Sequence, residues 1–173
     1  MKRSSWLAGI VKQKSLAFLS LLILTAALGA CSKDQSVELA NGSDLSLNAQ
    51  QILVVNYWAK WCKPCLHEIP ELNRLNQQDG ITVVGFDFDK HQGQELNDLI
   101  AKMKIEFPVL AGHLEPNRIH PELTRKAQAL PMTYLIRIPN PESGEAVRLS
   151  KALLGPQTEV GLLAKIEKFQ SQL

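Results

Sequence analysis

Nothing in this chain of 173 residues repeats, and its charges are not gathered into blocks. There is no run of basic residues, no low-complexity tract, and no second Cys-x-x-Cys pair beside Cys62 and Cys65. The missing basic run argues against a nucleic-acid surface. A structural zinc site wants four ligands, and Cys62, Cys65 and His67 give three at most. Covalent haem attachment needs histidine directly after the second cysteine, where Leu66 stands, so that reading fails. Long apolar runs are missing too. The uncharged stretch Leu16–Leu28, "LAFLSLLILTAAL", rises about 20 Å as a helix, short of the roughly 30 Å hydrocarbon core.

What that stretch does offer is a leader. Lys2, Arg3, Lys12 and Lys14 precede it and small residues follow it, the pattern of a signal peptide. An uncleaved anchor lengthened by Trp6–Val11 would be interrupted by Lys12 and Lys14. "LGAC" at Leu28–Cys31 resembles the lipobox of bacterial lipoproteins. That resemblance implies a lipid on the Cys31 sulfur, with Cys31 as the mature N-terminus, and explains an odd cysteine count of three. By the same resemblance, Ser32 standing where such lipoproteins often carry Asp when kept at the inner membrane implies the outer membrane over the inner one. Removing residues 1–30 takes away four basic residues and leaves 15 basic against 17 acidic, a net charge of −2. The expected organisation is a leader over residues 1–30, a lipidated tether over 31–36 and one domain over 37–173.

Within the domain, "VELANGSDLSL" holds two short alternating segments about Asn41-Gly42, a favourable hairpin turn. "ILVVNYW" (Ile52–Trp58) reads as a strand buried on both faces. Leu66, Ile69, Leu72 and Leu75 mark a helix after the cysteines, with Pro70 inside it and a kink expected there. "ITVVGFDF" (81–88) is a second strand. Leu96, Leu99, Ile100 and Met103 fit one helical face. "FPVL" (107–110) is a short extended piece, and 120–129 is expected to be a short helix opening on Pro121. "MTYLIRI" (132–138) is a third strand with "AVRLSKALL" as its antiparallel partner. Val160, Leu163, Ile166 and Phe169 mark a terminal helix. Strands alternating with helices and ending in a hairpin predict an α/β fold, a mixed sheet covered on both faces.

The pair Cys62-Lys63-Pro64-Cys65 sits where the first long strand meets the helix. A disulfide across so small a ring restrains little of the unfolded chain, which argues against a purely structural role. The position suits redox chemistry. Cys62 falls at the helix start, where free N–H groups and the macrodipole favour a thiolate, and Lys63 adds positive charge. Cys62 would then attack and Cys65, one turn inside, would resolve. Pro64 is tolerated in the first turn, which needs no donor there. A copper-handling role for the two cysteines with a distant histidine stays open, although His91, His113 and His120 read as surface residues.

The segment "VVNYWAKWCKPCLHEIPEL" resembles the active-site segment of the thioredoxin fold, in its TlpA/ResA-like extracytoplasmic branch. The resemblance runs over about residues 37–170, with "FPVL" and "LPMTYLI" at matching places. It implies a thioredoxin-like fold with an N-terminal hairpin extension. It further implies that Pro131 is a cis proline facing the cysteines, its preceding residue presented to substrate for strand-like pairing. Glu68 corresponds to the family's glutamate three after the second cysteine and would tune Cys65 and the proton transfers. Asn56 stands where cytoplasmic thioredoxins carry a buried aspartate. Trp61 would shield the disulfide and help to dock substrate, while Trp58 supports the core. Leu130 departs from the smaller or β-branched residues usual before that proline. "RIPNPESGE" departs from the usual tight turn.

The resemblance implies a lipid-anchored thiol-disulfide oxidoreductase on the periplasmic side of a bacterial membrane, working without a cofactor. It would reduce disulfides in client proteins, such as apocytochrome c or metal-assembly factors. Its electrons would come from a membrane thiol-disulfide carrier of the DsbD or CcdA type. A monomer is expected. The rival readings are an oxidase or isomerase with the same chemistry reversed, and a non-enzymatic copper- or haem-delivery chaperone.

Overall fold

The computed structural model describes residues 36–47, 51–124 and 126–171. The expected leader, Cys31 and the tether up to Gln35 lie outside them. Among the described residues, no helix is long and apolar enough to cross a membrane.

The long apolar run forms the central strand β3 (Gln51–Trp58), buried from Ile52 to Trp58. On one side it pairs in parallel with β4 (Ile81–Asp87), and on the other antiparallel with β5 (Met132–Ile138). The expected final strand is split in two. β6 (Arg148–Leu149) and β7 (Leu153–Leu154) both pair with β5. Between them Ser150 leaves the ladder register and spends its hydroxyl on Leu135 N–H at 2.9 Å. A separate hairpin, β1 (Ser36–Glu38) and β2 (Asp44–Ser46), turns through Gly42 at φ +80°. It joins the sheet edge through Leu39–Leu110 and Val109–Gly85 bridges. These use the "FPVL" segment.

The strands' alternation sends two sets of side chains to opposite faces. Ile52, Val54, Val83 and Leu135 belong to one core, with Cys65, Ile69, Leu72 and Leu75 of helix α1 (Lys63–Leu75). Leu96 of α2 (Gly93–Met103) and Leu162, Ile166 and Phe169 of α3 (Glu159–Ser171) complete it. Helix α1 runs on through Pro70. The terminal helix buries a different stripe from the expected one: Leu162 replaces Val160, which is 77% exposed. Both stripes have helical spacing, and only the direction of the core decides between them.

The other face carries Leu53, Val55, Tyr57, Val84, Phe86 and Ile136, covered by Val37 of β1, by Leu47 just after β2 and by Ile119 and Leu123. The α-helix expected over 120–129 is replaced among the described residues by a 3₁₀ turn at Pro116–Arg118 and turns at 121–122. Ile119 and Leu123 bury as two separate points, too little to offset the cost of nucleating a helix. Gly85 of β4 has a steric reason. A Cβ there would lie 2.9 Å from Phe107 Cε2 and 3.1 Å from Trp58 Nε1.

Candidate active site

Strand β3 ends at Trp58, and the chain turns at once: Cys62 N–H donates to Ala59 O at 3.0 Å. That turn places Cys62 as the N-cap of α1, where its Sγ accepts Cys65 N–H at 3.3 Å. The two cysteines form a disulfide, Cα–Cα 5.3 Å. Cys62 is 4% exposed and Cys65 0%, so the order of exposure matches the expected order of attack, but neither residue stands open. In the reduced protein the same N–H and the helix dipole would favour a thiolate on Cys62.

Glu68 lies three residues beyond Cys65 on α1 and is 1% exposed, a position for a carboxylate that demands partners. Asn56 Nδ2 donates to Glu68 Oε1 at 2.6 Å and is also 3.1 Å from Thr133 Oγ1. Gln157 N–H donates to Glu68 Oε2 at 2.8 Å. Burial pushes the Glu68 carboxyl up to about 7, and the Gln157 and Asn56 hydrogen bonds work against that rise. The group therefore titrates near neutrality, in reach of either protonation state. β3, β5, α1 and the loop before α3 each contribute one residue to this cluster.

The Leu130–Pro131 peptide bond is cis, and Pro131 O accepts Gly155 N–H at 3.0 Å. The β3–β5 register pairs Tyr57 with Met132, which sets Pro131 level with the end of β3 where the cysteine turn begins. Leu130 packs against the core cluster that holds both cysteines. Trp61 is 60% exposed, its indole N–H donating to Asp89 Oδ1 at 3.1 Å, while Trp58 is buried. Cys62, Cys65, Glu68, Trp61, Leu130 and Pro131 thus gather at one end of the sheet; Cys31 lies outside the described residues.

Three further groups do not read as site residues from the sequence. Gln157 carries no local signal, because its contact with Glu68 spans 89 residues. Asp87 ends a buried strand and Asp89 follows it, and only the two acids of "GFDFD" hint at a role. His91 reads as a surface residue from its loop, yet its ring is 9% exposed and lies against Asp87. Asp87, Asp89 and His91 bring ligand atoms within 4.8 Å of one another. Protein partners already engage all three: His91 holds Asp87, Trp61 holds Asp89, and Lys60 Nζ lies 2.9 Å from His91 Nε2. His67 is exposed on α1 while Cys65 is buried, so they occupy different faces of that helix.

Residues 26–137 match the AhpC/TSA family. Among curated proteins, sporulation thiol-disulfide oxidoreductase A of Bacillus subtilis is 26% identical over 127 residues, covering 68% of each chain. The thiol:disulfide interchange protein HelX of Rhodobacter capsulatus is 30% identical over 125 residues, covering 72% of this chain and 64% of HelX. A thioredoxin-family thiol:disulfide interchange protein of Chlorobium tepidum superposes with a TM-score of 0.58 at 20% identity, covering 77% of this chain and 90% of that one. StoA of Bacillus subtilis superposes with a TM-score of 0.53 at 24% identity, covering 73% and 91%. These two structures show a shared thioredoxin-like fold.

Proposed function

The chain belongs to the AhpC/TSA family of thioredoxin-like proteins, and from that premise we propose that it is an extracytoplasmic protein-disulfide reductase working through Cys62 and Cys65. It is a thiol-disulfide oxidoreductase, as its curated relatives are named. The observation that carries the reading is the buried Glu68, held by Asn56 and Gln157 one turn beyond Cys65 and titrating at about 7.

The chemistry follows in two steps. The Cys62 thiolate attacks one sulfur of a client disulfide; a mixed disulfide forms and the other client sulfur leaves as a thiolate, taking a proton from solvent. Cys65 then gives its thiol proton to the Glu68 carboxylate and attacks Cys62 Sγ. The mixed disulfide breaks, and the second client sulfur leaves and is protonated from Glu68. The client gains two electrons and two protons, and the chain is left with the Cys62–Cys65 disulfide. A membrane thiol-disulfide carrier of the DsbD or CcdA type restores both. Trp61 and Leu130 form the docking face around the pair, with Pro131 behind them. Cys31 carries the lipid that holds the domain on the periplasmic side of a bacterial membrane, with the outer membrane favoured. Apocytochrome c or a metal-assembly factor fits as client.

A Cys65→Ser variant tests the division of labour. It should accumulate reductant-sensitive adducts with clients, while Cys62→Ser should form none. Adducts through Cys65 in the Cys62→Ser protein would reverse the assigned roles.

A further inference from the structure

Asp87 closes β4 with its side chain fully buried. Its Oδ2 accepts the His91 backbone N–H at 2.7 Å and lies 2.7 Å from His91 Nδ1, while its Oδ1 accepts Asp89 N–H at 3.2 Å. Residues 87–91 are therefore wound about one carboxylate. Lys60 Nζ lies 2.9 Å from His91 Nε2. An ammonium can only donate, so Nε2 accepts, and the ring proton sits on Nδ1, where it is given to Asp87. A neighbouring turn closes the back of the loop. At Gly112 a Cβ would fall 1.7 Å from His91 O, so no larger residue fits there. Glu95 Oε1 is also near Nε2, at 3.6 Å, beyond hydrogen-bond distance.

Lys60 and Trp61 are the two corner residues of the turn that delivers Cys62. Lys60 is tied to His91, and Trp61 to Asp89. Both ties end in Asp87. We propose that Asp87 and His91 are positioning residues for this turn, fixing the exposed Lys60 ammonium, two residues before Cys62, as a specificity-determining contact for polypeptide disulfides. They act through Lys60. The inference rests on the reading of Cys62–Cys65 as a redox pair that acts on polypeptides.

The test compares steady-state reduction of a cystine-containing peptide by the full chain and its variants. His91→Leu and Lys60→Met should each raise KM about tenfold with kcat kept within about twofold, and the double variant should be no worse than either, since both cut one chain of contacts. His91→Gln, whose amide oxygen reaches the place of Nε2, should restore most of the wild-type KM. His91→Asn, which keeps only the donor to Asp87, should not. A wild-type KM in His91→Leu, additive effects in the double variant, or rescue by Asn in place of Gln would overturn the proposal. Should His91→Leu fail to fold, Lys60→Met at its exposed site carries the same prediction. If the wild-type chain itself leaves the peptide oxidised, the reading as a reductase fails first. If it reduces the peptide and the variants match it, only the positioning role fails.

Discussion

Gln157 N–H donates to Glu68 Oε2 at 2.8 Å, joining the loop before α3 to the buried middle of α1. This bond, with the Asn56 amide on the other oxygen, makes a buried carboxylate tolerable one turn from Cys65. Burial still outweighs the two hydrogen bonds and pushes the carboxyl up to about 7.

The first prediction concerns the resolving step. With Glu68 as proton acceptor, release of a mixed disulfide by Cys65 should accelerate with a limb centred near pH 7. Glu68→Gln should abolish that limb and slow release by about 100-fold at neutral pH. Stopped-flow release of a preformed Cys62 adduct measures it. An unchanged pH profile would remove Glu68 from the proton path.

The second concerns stability. Glu68 titrates higher in the folded protein than its ordinary 4.5, so the folded state holds the proton more tightly. Its contribution is favourable below about pH 4.5 and is lost as pH rises to about 7, a change of roughly 3 kcal/mol. Denaturant unfolding of the oxidised protein between pH 4 and 8 should show this decline. Glu68→Gln should flatten it, and a wild-type slope in that variant would assign the decline to another group.

The sheet was legible in the sequence because β3, β4 and β5 are apolar runs long enough to identify themselves. The site was legible only as far as it is local. Cys62, Cys65 and Glu68 share one helix turn or two, and their spacing is visible. Gln157 and Thr133 reach Glu68 and Asn56 through tertiary packing, which no spacing records. His91 reads as a surface residue because the carboxylate its ring lies against, Asp87, belongs to the end of a strand. The terminal helix shows the same limit. Val160 and Leu162 both fit a helical stripe, and the position of the sheet chooses Leu162.

A third prediction follows from the crowding at Gly85. Gly85→Ala would set a methyl 2.9 Å from Phe107 and 3.2 Å from Val109, against side chains already buried. A loss of about 1–3 kcal/mol is expected, read from the urea midpoint. A neutral result would mean that the bridge between β4 and the Val109 segment yields more than its packing implies.

The fourth concerns Trp61. Its ring is 60% exposed beside the nucleophile, so Trp61→Ala should leave stability within about 0.5 kcal/mol. As a docking aromatic it should raise KM for a peptide disulfide by about tenfold. An unchanged KM would restrict Trp61 to shielding the disulfide.

The central claim is that Cys62 and Cys65 donate electrons, and the equilibrium potential of their disulfide tests it most directly. The described domain would be equilibrated in glutathione or dithiothreitol buffers and its dithiol fraction measured by alkylation. A value near thioredoxin's, about −270 mV, is predicted, which makes the chain a reductant dependent on a membrane donor. A value near about −120 mV, that of the oxidant DsbA, would reverse the electron flow and contradict the account.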